Sequence, residues 1–349
     1  MHSLSNMSSA WIRPGLHIRS LDSALFDVDG VLIDVRRSYR LAVMAGTDHL
    51  VRVVNGLSEA PTPLLAPEDL AAFKLAGGFN SDWDLTRLLA ALWTARLREW
   101  RDEPEAAIPL AEWARRATDA ARAGHGGVAW MLATFPATAI PDADTARWAH
   151  DEFYWGAALA HEHYGHEPRF APDAPGLVHN EVLLLDETLL PALRVRGITR
   201  FGLITGREGA EVGWAVRHIA GGVGLLEGVA PGGPWYESAH GRSPFATIVP
   251  ATIYAKPDPS ALVYAVQALG TRAGLFVGDS ADDLDLVLRY ERESRTTDSA
   301  LPPILSVMIA TGTAARTYRE RGADIIIEHI RDLPAALDLL DVAEQEPTG

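Results

Sequence analysis

Five short apolar runs punctuate this chain, and three of them stop at a glycine, threonine or aspartate. Ala24-Leu25-Phe26 runs into Asp27-Val28-Asp29-Gly30-Val31, Phe201-Gly202-Leu203-Ile204 into Thr205-Gly206, and Gly274-Leu275-Phe276-Val277 into Gly278-Asp279. Ile304-Leu305-Ser306-Val307-Met308-Ile309 and Asp324-Ile325-Ile326-Ile327 complete the set. Runs this short and continuous suit strands buried on both faces. Helical segments follow several of them. Asp258-Pro259-Ser260, for instance, opens a helix with Leu262, Ala265, Val266 and Leu269 on one face and Gly270 as its stop. Strand and helix in alternation predict an α/β fold, a Rossmann-like doubly wound parallel sheet. In such sheets ligands bind beyond the carboxyl ends of the strands, where these polar residues fall.

Residues 36–190 follow another pattern. Residues 39–54, 85–100 and 110–122 carry helical periodicity, and seven of the ten tryptophans lie between Trp83 and Trp155. This predicts an all-helical cap domain at 36–190 inserted into a catalytic core of 1–35 and 191–349, with the tryptophans packing helix on helix. A Pro/Gly-rich stretch at 221–250 reads as a long loop on the core, and the first twenty residues as a loose arm without the apolar segment of a secretory signal.

Charge and composition narrow the function. A formal net charge of -15 repels nucleic-acid backbones and anionic lipids, so neither is an expected partner, and no apolar stretch suits a membrane span. A phosphate site on such a chain must carry its own positive charge. The absence of cysteine removes disulfides and thiolate chemistry and leaves the cytoplasm as the default compartment. Only two of the 31 basic residues are lysines, Lys74 and Lys256. Where arginine has replaced lysine almost everywhere, the survivors mark places where a compact ammonium is hard to substitute.

Four elements carry chemistry. Asp27 and Asp29, two apart at a strand end, leave on the same side. One can attack phosphorus while the other protonates the leaving oxygen and later activates water. Gly30 permits the tight turn beside them. Thr205-Gly206-Arg207 places a hydroxyl, a backbone amide and a cation at a helix mouth, a phosphate clamp. Lys256, before Pro257-Asp258-Pro259, can hold its ammonium over a phosphate. Asp279, Asp282 and Asp283 at a strand end and first helical turn suit a hard cation with oxygen ligands, usually magnesium.

In this order the four elements resemble the haloacid dehalogenase superfamily, over residues 20–35 and 195–335, and the insertion after the first element resembles its helical-cap subfamily I. The resemblance implies Asp27 as nucleophile, Asp29 as general acid/base, and Thr205 and Lys256 as phosphate-binding groups. It implies Mg2+ held by Asp27, the backbone carbonyl of Asp29, Asp279 and Asp283. The dehalogenases that name the superfamily lack an acid at the position of Asp29, so its presence here favours phosphoryl transfer. The expected activity is a phosphatase acting on a small phosphorylated metabolite. A phosphomutase on the same scaffold, or a phosphonate hydrolase using Lys74 as a Schiff base, is the alternative, and the oligomeric state is open.

Within the cap, residues 73–84 break a helical region with a glycine pair and resemble a stretch from a small branch of the helical-cap phosphatases. Lys74, Asn80, Asp82 and Trp83 are the expected substrate contacts there, against a plain helix corner. Glu152, Tyr154 and Trp155 are further candidates for lining the pocket. His161, His163 and His166 lack the spacing of a metal site and read as a polar loop.

Overall fold

The computed structural model describes residues 10–16, 20–79, 81–165, 167–223, 245–296 and 301–343, and within them the apolar runs pair into one seven-stranded sheet. The strands are β1 (Trp11–Ile12), β2 (Ser23–Phe26), β3 (Ile33–Asp34), β4 (Val182–Leu183), β5 (Arg200–Thr205), β6 (Phe245–Pro250), β7 (Gly274–Gly278), β8 (Ile304–Ile309) and β9 (Ile325–Ile327). The large sheet has the order β1-β9-β8-β7-β2-β5-β6, and every neighbouring pair but β1 with β9 is parallel. Helices Gly209–Val223, Ser260–Leu269, Ala281–Thr296 and Gly312–Arg321 alternate with the strands. The expected α/β doubly wound sheet is therefore present.

Strand β2 lies inside the sheet, between β7 and β5, because nothing on it needs water: Ser23, Ala24, Leu25 and Phe26 are fully buried. Leu25 joins Ile204, Val249, Leu262, Val266, Phe276 and Val287 in one apolar cluster, while the Phe26 ring meets those of Phe201 and Phe245. At the amino end of the strand, the Asp22 carboxylate takes Arg200 at 2.7 Å and Arg272 at 3.0 Å, tying the starts of β2, β5 and β7 together.

Two sequence expectations need correction here. Residues 245–250, read as part of a long loop, form edge strand β6; residues 224–244 of that stretch lie outside the described residues. The Pro/Gly content of the stretch hides Phe245, Ile248 and Val249, which are buried. Trp11–Ile12, read as a loose arm, adds an antiparallel edge strand to β9, held by an Arg13–Asp324 ion pair at 2.6 Å and by Arg319 over the Trp11 ring.

The chain divides into two compact units, 1–34 with 182–349, and 35–181. The second crossing thus falls at Glu181–Val182 rather than near 190, because Val182 and Leu183 pair antiparallel with Asp34 and Ile33. Leu184 N–H also donates to the Leu32 carbonyl at 2.8 Å. This small ribbon belongs to the sheet-bearing unit.

Among the described residues, every regular element in 35–181 is helical. Its core is the tryptophan-rich packing expected: Trp100 stacks on Trp113 at 5.5 Å, and Phe135 lies 5.3 Å from Trp113 and 5.8 Å from Trp130. The Glu152 carboxylate is buried and accepts the backbone N–H groups of Arg169, Phe170 and Ala171. Tyr154 OH donates to Glu181 Oε1 at 2.9 Å, and Ser38 Oγ to the same oxygen at 3.3 Å. Glu152, Tyr154 and Trp155 are all buried in helix packing, which corrects their reading as pocket-lining residues. A cavity of about 680 Å³ in this unit, walled by Leu41, Met44, Leu64, Leu65 and Phe153, contains none of the residues expected to carry chemistry. No helix among the described residues is long and apolar enough to cross a membrane.

Candidate active site

The carboxyl ends of β2, β5 and β7 bring the core candidates together. Asp27 follows Phe26, its N–H donating to the Val277 carbonyl of β7 at 2.8 Å, so strand pairing sets its height above the sheet. Its side chain is 6% exposed, and Oδ1 accepts the Val28 N–H at 2.7 Å and the Lys256 ammonium at 2.8 Å. Lys256 is buried as well, and its Nζ lies 2.7 Å from Asp283 Oδ1. The surviving lysine therefore sits between two buried carboxylates, where a flexible point charge fits and a planar guanidinium does not.

Asp283 stands on the first turn of the helix Ala281–Thr296 and organises the loop before it. Its Oδ2 accepts the N–H of Asp279 at 3.2 Å, the N–H of Ser280 at 3.0 Å and the Ser280 hydroxyl at 2.7 Å. Gly278 is required below it, since a Cβ there would lie 2.3 Å from the Asp283 Cβ. Tyr318 OH donates to the Asp279 carbonyl at 2.8 Å and fixes the loop from the other side. Gly30, at φ +76°, passes so close to Asp279 that a Cβ would come within 2.0 Å of Oδ2.

Burial pushes the Asp27 carboxyl well above the usual range, and the charges of Asp283, Asp29 and Asp279 push the same way against Lys256. Burial works against the Lys256 charge too, but Asp27 and Asp283 overcome it and hold the ammonium protonated above its usual value. Burial alone would raise Asp283; Lys256 and the Ser280 donors outweigh it and lower it. One ammonium thus faces more negative charge than it can balance.

That excess bears on the metal expected from the sequence. Asp27, Asp279 and Asp283 each offer a carboxylate oxygen within 4.8 Å of the others. A purely oxygen donor set with surplus negative charge, two of its three acids buried, fits a hard divalent cation. Both oxygens of Asp283 already accept hydrogen bonds, so it acts at least as much on Lys256 and the loop as on an ion.

Thr205, the last residue of β5, is buried, and its Oγ1 accepts the Arg207 N–H at 3.1 Å, with exposed Gly206 forming the turn between them. Arg207 departs from expectation. Its guanidinium reaches Asp29 Oδ1 through Nε at 2.9 Å and Nη2 at 2.7 Å, so it is engaged by the second acid rather than held out as a phosphate clamp. No local signal in the sequence marks this pairing.

The helical candidates form a separate group in their own unit. Lys74 pairs with Asp82 at 2.9 Å, Trp83 Nε1 donates to Asp151 Oδ1 at 2.6 Å, and Arg147 lies 3.8 Å over the Trp83 ring. Ser81 caps the helix Asp82–Thr94 by accepting the Asp84 N–H. Trp83 is half-buried, and Lys74 keeps a quarter of its side chain exposed. Asn80 lies outside the described residues, as does His166; His163 packs against the rings of Trp155 and Tyr164, and His161 faces Glu167 at 3.7 Å. The buried Asp151 and His150, 3.0 Å apart, were not expected from sequence, because a polar pair inside an amphipathic helix looks like a solvent face.

A family model described as haloacid dehalogenase-like hydrolase matches residues 21–286. No curated protein matches the sequence. Among solved structures, phosphatase Tt82 from Thermococcus thioreducens is similar at 21% identity and a TM-score of 0.52, over 89% of this chain and 98% of that one. A hydrolase from Pseudomonas syringae is similar at 16% identity and a TM-score of 0.43, over 91% of this chain and 99% of that one.

Proposed function

This chain belongs to the haloacid dehalogenase-like hydrolases, and from that premise we propose that it hydrolyses a small organic phosphate monoester through a phosphoryl group carried on Asp27. The observation that carries the reading is the buried Asp27–Lys256–Asp283 chain at the end of β2. A carboxylate paired to an ammonium and crowded by other acids is held in place, yet poorly stabilised as an anion, which suits a nucleophile. Asp29, whose side chain is 27% exposed, has the solvent access that a group exchanging protons with a leaving oxygen and with water requires.

In the first step an Asp27 oxygen attacks phosphorus and the bond to the leaving oxygen breaks, Asp29 giving that oxygen its proton. In the second, water attacks the phosphoryl group, Asp29 takes the water proton, and the Asp27–phosphorus bond breaks to release phosphate. Lys256 offsets the charge of the transferring oxygens. Thr205 accepts from the Arg207 N–H and can donate its own proton to a phosphate oxygen. Asp27, Asp279 and Asp283 would hold Mg2+, which when bound supplies charge neutralisation to the phosphoryl oxygens. Lys74, Asp82 and Asn80 are the candidates for selecting the ester. The phosphonate alternative needs Lys74 as a nucleophile, and its ammonium is engaged by Asp82; no observation favours the mutase.

The test is release of inorganic phosphate from a panel of alkyl and aryl monoesters, with magnesium and with chelator, for the wild type and Asp27→Asn. Turnover that needs magnesium and vanishes in the variant is expected. Equal rates in the two proteins would remove Asp27 from the chemistry.

A further inference from the structure

We infer that Arg207 is a positioning residue for Asp29, selecting which of its two carboxylate oxygens handles the proton. The inference rests on the reading of Asp29 as the acid/base group. Two guanidinium N–H groups, Nε at 2.9 Å and Nη2 at 2.7 Å, converge on Oδ1 alone. An oxygen that accepts two charge-assisted hydrogen bonds has both lone pairs engaged and is a poor place for a proton. Oδ2 accepts no hydrogen bond among the described residues, and the carboxylate keeps contact with solvent while the arginine side chain is 1% exposed. The proton therefore resides on Oδ2 when Asp29 is the acid, and the water proton arrives at Oδ2 when it is the base.

The guanidinium can act this way because it is itself fixed. Its own backbone N–H is bound to Thr205 Oγ1 at 3.1 Å, its carbonyl accepts from the Ala251 N–H at 3.3 Å, and Nη1 reaches the Glu211 carbonyl at 3.5 Å. The short link through Gly206 thus couples the phosphate-facing hydroxyl of β5 to the acid that follows β2. A phosphate-binding arginine would need a guanidinium edge turned to the ligand, whereas here two of its three nitrogens are spent on one acid oxygen.

In chemical terms, transfer to Asp27 breaks the bond between phosphorus and the leaving oxygen, and the Oδ2 proton passes to that oxygen. Hydrolysis of the aspartyl phosphate returns a water proton to Oδ2, which restores both groups. An alkoxide needs that proton to leave; a nitrophenolate does not. Arg207 should consequently matter to the first step with alkyl esters and little to the first step with 4-nitrophenyl phosphate.

The experiment compares kcat/KM, which covers events up to formation of the phosphoryl-enzyme, for 4-nitrophenyl phosphate and for the fastest alkyl monoester of the panel. Wild type, Arg207→Ala, Arg207→Lys and Asp29→Asn are measured with magnesium. Since a positioned acid contributes about 10²–10⁴-fold, Arg207→Ala should lower the alkyl value by about 100-fold and the aryl value by less than tenfold. Arg207→Lys keeps the charge but cannot direct two N–H groups at one oxygen, so it should show the same split at smaller size, and it carries the test if the alanine variant does not fold. Equal losses on both esters would make Arg207 a phosphate-binding or purely structural group and overturn the inference, as would no loss on either. If Asp29→Asn itself shows no split, the acid/base reading of Asp29 is what has failed; a split there but not in the Arg207 variants defeats the positioning role alone.

Discussion

Replacing Lys256 with methionine tests the electrostatic reading of the site most directly. The substitution keeps the length of the side chain and removes the one ammonium between Asp27 and Asp283, whose side chains are 6% and 0% exposed. Breaking a buried pair by deleting one partner costs about 3–5 kcal/mol, because the remaining charge stays desolvated. Here two carboxylates are left rather than one, so the upper half of that range applies. A domain of this size shifts by roughly 2–4 °C per kcal/mol, giving a Tm loss of about 8–20 °C by calorimetry in the presence of chelator. Adding Asp283→Asn to the same chain removes one of the stranded charges and keeps an oxygen for Asp279 and Ser280. The double variant should recover about 1–3 kcal/mol over the sum of the single effects. Magnesium should stabilise the Lys256→Met protein more than the wild type, since a dication then supplies the missing positive charge. A single-variant loss below about 1 kcal/mol, the size of an exposed pair, would show that the two acids are not charged together and would refute the argument.

Two further outcomes follow from positions around the site. Gly30→Ala forces a left-handed φ on a side chain, about 1–2 kcal/mol of stability, and drives its Cβ into Asp279 Oδ2. Magnesium-dependent phosphate release should therefore fall much further than the Tm, and proportionate losses would contradict the close approach. At the opposite end of β2, burial alone would raise the Asp22 carboxyl, but the hydrogen bonds from Arg272 and Ser23, with the charge of Arg200, outweigh it and hold it below the usual value. Its contribution is complete above the unfolded value of about 3.9 and disappears as pH falls through the lowered one. Asp22→Asn should cost about 1–2 kcal/mol at neutral pH and converge with the wild type near pH 2; parallel curves of Tm against pH would count against the clamp.

Much of the sheet was legible because its inner strands are uninterrupted apolar runs that end at or beside the polar candidate residues. Asp27, Thr205 and Asp279 could be placed from that coincidence, and Lys256 from its rarity. Edge strands gave less signal: β1 is two residues long, and β6 sits in a Pro/Gly-rich stretch whose burial depends on β5. The partner of Arg207 was not legible at all, since Asp29 is 178 residues away and a Thr-Gly-Arg turn looks the same whichever way the guanidinium points. The helical unit told the same story at larger scale. Tryptophan spacing announced packing, but whether Trp83 would meet a ligand or Asp151 depended on a helix 68 residues later.

The two-residue ribbon of β3 and β4 sets where the chain leaves and re-enters the sheet-bearing unit. By pairing Ile33 with Leu183 and Asp34 with Val182, it draws the departing and returning chain side by side before the inserted segment begins. Whatever is placed beyond it starts and ends at one spot, so the sheet need not adjust to its size. Loop-closure entropy grows only logarithmically, by about 0.6 kcal/mol for each doubling of length. Segments of very different bulk can therefore join the chain at that one spot without displacing the strand ends that carry Asp27 and Asp279.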